Sequence, residues 1–131
     1  MLAPKPSSNN PIRTLFSAQK TQKSNAKTKM SGKVKHIVLF KLKSDTTQQQ
    51  KDNLFESLAS LKTQISGIED FAFGTNNSTE GFSKGYTHGF TMVFTDVKAR
   101  DDYLPHPIHE ALVKEVFLPL IDDVCVFDFD L

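Results

Sequence analysis

Apolar and polar positions alternate along residues 34–42. Val34, His36, Val38, Phe40 and Leu42 share one face of an extended chain, with Ile37 and Leu39 on the other. This predicts a first strand. The period then lengthens: Leu54, Leu58, Leu61 and Ile65 recur at steps of four, three and four, which predicts an amphipathic helix. Asp45 and Gln48 have capping-box spacing for its start, and Gly67 suits its end. Residues 68–73 read as a second strand with Phe71 and Phe73 on one face, and residues 74–85 as a polar loop. Residues 86–95 form a third strand, placing His88, Phe90, Met92 and Phe94 together. Asp96 can cap a short helix through Tyr103, which must falter at Leu104 because Pro105 and Pro107 follow. Pro107 fits the first turn of a new helix in which Ile108, Leu112 and Val116 line up, and Pro119 ends it. Residues 124–129 close the chain as a fourth strand. The order is β-α-β-β-α-β with the second helix broken, an α+β, ferredoxin-like arrangement.

That order leaves a demand unmet. Helices cover one face of such a sheet, yet the strands carry apolar residues on both. Four strands of about eight residues present about 500 Å² per face. Assigning Phe40, Phe71, Phe73, Phe90, Met92 and Phe94 to the open face makes it a large apolar patch, which a second copy of the chain would cover. The expectation is a homodimer enclosing a chamber between two sheets.

Charge divides the chain. Seven of its sixteen Lys and Arg residues lie within residues 1–33, which hold no Asp or Glu. The remaining nine face all fifteen acidic residues, so the folding part carries a net charge near −6. Such a domain is a poor match for a phosphate backbone, which argues against a nucleic-acid partner. No run approaches the ~20 apolar residues of a membrane helix, which argues against a membrane partner. Residues 1–30 are rich in Ser, Asn, Thr, Lys and Pro and have no core-forming pattern. They read as a disordered basic extension, dispensable for folding, ahead of a domain over 31–131. The expected location is the cytoplasm, with a plastid or mitochondrion as the alternative if residues 1–29 act as a targeting segment. Cys125, the one cysteine, lies between Val124 and Val126 and reads as a buried strand thiol.

Candidate chemistry rests on four histidines and a tyrosine. Parity puts His36 and His88 on the aromatic strand faces, where an imidazole needs a partner or a ligand. Both are candidate anchors in the chamber, with Phe40, Phe71 and Met92 as apolar lining. His106 precedes a helix-start proline and reads as a cap, while Tyr103 and His109 flank the helix break. No carboxylate stands at a ligand spacing from these histidines, so no metal is expected. No phosphate loop, serine elbow or Cys-His pair is visible, and no cofactor is expected.

At Val34-Lys35-His36-Ile37-Val38, Gly85-Tyr86-Thr87-His88 and Asp102-Tyr103-Leu104-Pro105-His106-Pro107-Ile108-His109, the sequence resembles the stress-responsive A/B-barrel (Dabb) family over about residues 33–130. The resemblance implies a dimeric α+β barrel in which two ferredoxin-like sheets face each other across a chamber. Its members include plant stress-induced proteins and a polyketide cyclase. By the same resemblance His36 and His88 are pocket residues, and Tyr103 and His109 the catalytic pair of a cyclase. Three functions follow as expectations. The first is a homodimer that binds a small carbonyl or phenolic molecule. The second is a cyclase-like enzyme closing a ring by aldol-type chemistry, with His109 as base and Tyr103 as donor. The third is a highly stable oligomeric stress protein without turnover. The residues alone leave turnover open.

Overall fold

A computed structural model describes residues 32–131, so the basic extension and its targeting alternative lie outside the described residues. The elements are β1 (Val34–Leu42), α1 (Gln48–Gln64), β2 (Ile68–Thr75), β3 (His88–Phe94), α2 (Val97–Tyr103), α3 (Pro107–Leu112) and β4 (Ile121–Asp130). A π turn (Val113–Phe117) and a 3-10 turn (Leu118–Leu120) join α3 to β4. The sheet is ordered β2-β3-β1-β4 with every pair antiparallel, the ferredoxin-like arrangement.

Local chemistry sets the boundaries. Thr47, not Asp45, is the N-cap of α1: its side chain accepts from the Gln50 N–H at 3.1 Å, and the Gln50 side chain accepts from the Thr47 N–H at 2.8 Å. The expected box is thus displaced by two residues. Thr47 and Gln50 repeat its spacing, while Lys43 and Thr46 close a turn ahead of it. Thr47→Ala removes one side of the box and lowers stability by about 1 kcal/mol, read as a fall in melting temperature at unchanged helix content. Gly67 has a φ of 93°, and a Cβ there would lie 2.6 Å from the Ala99 side chain. Only glycine lets the turn after α1 pass this close to α2. Asp96 caps α2 through the Ala99 N–H at 2.7 Å, and His106 caps α3 by accepting from the Ile108 N–H at 3.1 Å.

The face assignment is reversed from expectation. Val34, His36, Val38, Phe40, Phe90, Met92 and Phe94 do share a face, but it is the one the helices bury. There they pack with Leu54, Leu58, Leu61 and Ile65 of α1 and with Tyr103, Leu112 and Phe117. The reason is bulk: the helices remove the more aromatic face from water, where burial gains most. Phe40 and Met92 are therefore fully buried core residues rather than chamber lining, and Phe71 packs against the same core. The open face carries Lys35, Ile37, Leu39 and Lys41 of β1, opposite Phe129, Phe127, Cys125 and Asp123 of β4. Leu39, Phe127 and Phe129 are exposed there. Cys125 is exposed as well, because the odd positions of an edge strand point away from the helices.

Candidate functional site

The helices do not seal the buried face completely. Between the sheet and the segment from α2 to the 3-10 turn lies a cavity of about 240 Å³. Leu58, Phe90, Leu112 and Phe117 supply apolar wall, and Val124 and Val126 line it from β4. The π turn contributes Val113 and Phe117, a use of a wide helical turn that recurs at functional sites. Three polar side chains reach this cavity: His36, Tyr103 and His109.

Each is placed by a local device. The Pro-containing break after α2 leaves the Leu104 carbonyl without its helical partner, because the Ile108 N–H is taken by His106. His109, in the first turn of α3, donates its Nδ1–H to that carbonyl at 2.9 Å. A carbonyl only accepts, so Nδ1 carries the proton and Nε2 keeps its lone pair. The corner also brings the His109 ring to 4.1 Å from the Tyr103 ring, centroid to centroid. Burial, the largest influence, lowers the His109 imidazole below its ordinary 6.5 and outweighs the opposing pull of the Leu104 bond. Burial likewise pushes the Tyr103 hydroxyl well above its ordinary 10. The Tyr103 ring is buried, and its hydroxyl has no hydrogen-bond partner among the described residues.

His36 enters from β1 with its ring 5.8 Å from Phe94 and 6.1 Å from Tyr103. Its Nδ1 lies 2.7 Å from Asp128 Oδ1, and Arg100 Nη1 donates to Asp128 Oδ2 at 2.8 Å. Neither Asp128 nor Arg100 was expected at the site. The available signal was parity: Asp128 follows Val124 and Val126 on the helix side of β4 and pairs across the sheet with His36.

His88 stands elsewhere. It stacks on Phe40 at 5.9 Å, bonds Thr87 Oγ1 at 2.8 Å, and lines a separate cleft with Leu39, Thr75 and Tyr86. Burial, then the charge of Lys51, lowers its pKa below 6.5. The structure thus brings His36, Tyr103 and His109 together and leaves His88, Phe40, Phe71 and Met92 off the cavity wall. Among the described residues no three His, Cys, Asp or Glu side chains are grouped to hold a metal ion, and no helix is long and apolar enough to cross a membrane.

Comparison with known proteins agrees with this architecture. The chain is 28% identical over 96 residues to olivetolic acid cyclase of Cannabis sativa, covering 73% of this chain and 94% of the cyclase. It is 32% identical over 98 residues to a stress-response A/B barrel domain-containing protein of Arabidopsis thaliana, covering 75% and 89%. A crystal structure of an Arabidopsis thaliana protein superposes with a TM-score of 0.72 at 31% identity, covering 75% of this chain and 94% of that one. A dimeric protein of ferredoxin-like fold from Bacteroides fragilis superposes with a TM-score of 0.60 at 25% identity, covering 78% and 99%. Residues 34–131 match the stress responsive A/B barrel domain, Dabb, and the chain belongs to that family.

Proposed function

We propose that this chain is a homodimeric A/B-barrel protein whose helix-side cavity binds a small apolar molecule carrying a carbonyl or a phenol. One observation carries the reading: Tyr103, buried and with no hydrogen-bond partner for its hydroxyl among the described residues, lines the same apolar cavity as two imidazoles. An unsatisfied buried hydroxyl costs about 1–3 kcal/mol, which a ligand carbonyl accepting its proton would recover. In each imidazole Nδ1 is already engaged, leaving Nε2 for a ligand hydroxyl. Dimerisation is supported by the open face, where Leu39, Phe127 and Phe129 are exposed beside a half-buried Ile37, and by the dimeric relative of the same fold.

The test is a binding series of similar size: 4-hydroxyacetophenone, acetophenone and ethylbenzene, followed by protein-observed NMR. Affinity falls in that order, and Tyr103→Phe removes the preference for acetophenone over ethylbenzene. Equal affinities for all three compounds would end the carbonyl reading.

A second reading, favoured by the proton placement on His109, is catalytic. A half-buried imidazole with a free Nε2 lone pair beside a phenol is a base next to a donor, the pair needed for proton transfer alpha to a carbonyl. The cyclase relative makes aldol-type ring closure the reaction class to test first.

A further inference from the structure

His36 is the inner end of a chain of contacts that begins on α2. Arg100 Nε donates to Asp101 Oδ1 at 2.7 Å, which leaves Nη1 to reach Asp128 Oδ2 at 2.8 Å. The other carboxylate oxygen, Oδ1, faces His36 Nδ1 at 2.7 Å. The chain joins three elements: α2, the edge strand β4 and the central strand β1.

A carboxylate on an edge strand turns easily about its terminal torsion, and either oxygen serves an imidazole. With Oδ2 occupied by a guanidinium, that freedom is lost and Oδ1 stays on His36. The carboxylate only accepts, so of the two neutral tautomers of the ring it selects the one with the proton on Nδ1 and the lone pair on Nε2. Since Nδ1 is spent, Nε2 is the nitrogen that His36 offers to the cavity it lines. The guanidinium also shares the negative charge of Asp128, which would otherwise rest on His36 alone.

We infer that Arg100 is a positioning residue: by clamping Asp128 it fixes the tautomer of His36, so that the cavity meets its ligand with an acceptor at that point. The cavity is thereby built for a ligand hydroxyl opposite β1 and a ligand carbonyl opposite Tyr103, a hydroxylated ketone or enol. The ligand part of this inference rests on the cavity reading proposed above; the tautomer part does not.

The experiment is a long-range 1H–15N spectrum of the histidine rings, recorded on the protein without ligand. At a pH where the ring is neutral, His36 in the wild type gives one protonated nitrogen, Nδ1, and one bare nitrogen, Nε2. Arg100→Met averages the two, because Asp128 no longer holds one orientation, while Arg100→Lys restores the wild-type pattern by returning a cationic donor. In parallel, 4-hydroxyacetophenone loses about tenfold in affinity with Arg100→Met, and acetophenone keeps its own. A bridge that merely ties α2 to β4 would lower the melting temperature without moving the nitrogen pattern. Should Arg100→Met not fold, Asp101→Ala loosens the guanidinium and moves the His36 signals partway. An unchanged His36 pattern in whichever of these variants folds overturns the inference. Failure of wild-type protein to bind any of the compounds counts against the cavity reading alone, since the tautomer is read without them.

Discussion

Phe40→Asp abolishes the folded protomer, whereas Phe127→Asp leaves a folded chain that no longer dimerises. The two residues are both strand phenylalanines, so the contrast isolates the face. Phe40 is completely buried, with the rings of Phe55, His88, Phe90 and Phe117 within 6.3 Å. Losing a buried phenylalanine costs about 3–5 kcal/mol, and an unpaired carboxylate in its place costs several more. A domain of this size has about 5–15 kcal/mol to lose. Phe127 is 62% exposed and pairs with Ile37 on the open face, so a carboxylate there keeps its water in the separated chain. Circular dichroism reads the fold, and sedimentation equilibrium reads the mass. A dimeric Phe127→Asp protein would remove the open face as the interface. A folded Phe40→Asp protein would contradict the core described here.

This contrast also marks where sequence pattern stops being informative. Alternation along residues 34–42 and 86–95 is enough to sort Val34, His36, Val38 and Phe40 from Ile37 and Leu39, and the structure keeps that sorting. It carries no sign for which set faces the helices. The apolar bulk of Phe40, Phe90, Met92 and Phe94 was the usable clue, since α1 brings Leu54, Leu58, Leu61 and Ile65 to meet it. Tyr103 and His109 were legible because the Pro105 and Pro107 break is local: it frees a carbonyl and redirects a ring within six residues. Asp128 and Arg100 were not. The His36–Asp128 bond spans 92 positions and the Arg100–Asp128 bond 28, and the first depends on β4 pairing with β1 in one register. His88 shows the reverse failure, with correct parity but a position at the far end of its strand.

With a substrate able to close a ring, His109→Ala lowers turnover by about 10²-fold or more, the scale expected for a positioned base. The chemistry balances within one molecule. In the catalytic reading proposed above, His109 Nε2 takes a proton from the carbon beside a carbonyl whose oxygen accepts from Tyr103 O–H. The resulting enolate carbon bonds to a second carbonyl carbon of the same chain, and the oxygen released there takes the proton back from His109. Nothing is oxidised, so the residues need no redox partner. Tyr103→Phe keeps the ring against Phe94, at 5.0 Å, and against His109, but removes the donor. It lowers kcat while leaving dimer mass in place, and the melting temperature of the free protein rises because an unpartnered buried hydroxyl is removed. The pH profile carries the sign of the two shifts. His109 must be neutral to act, and burial holds its pKa below 6.5, so activity persists on acidification past that value before it fails. Tyr103 must keep its proton, and burial raises it above 10, so the alkaline limb lies beyond the ordinary tyrosine range. A rate that falls with an acid limb above 6.5 would place the base elsewhere. Full turnover in both His109→Ala and Tyr103→Phe would leave the cavity as a binding site, because neither the base nor the donor would then be taking part.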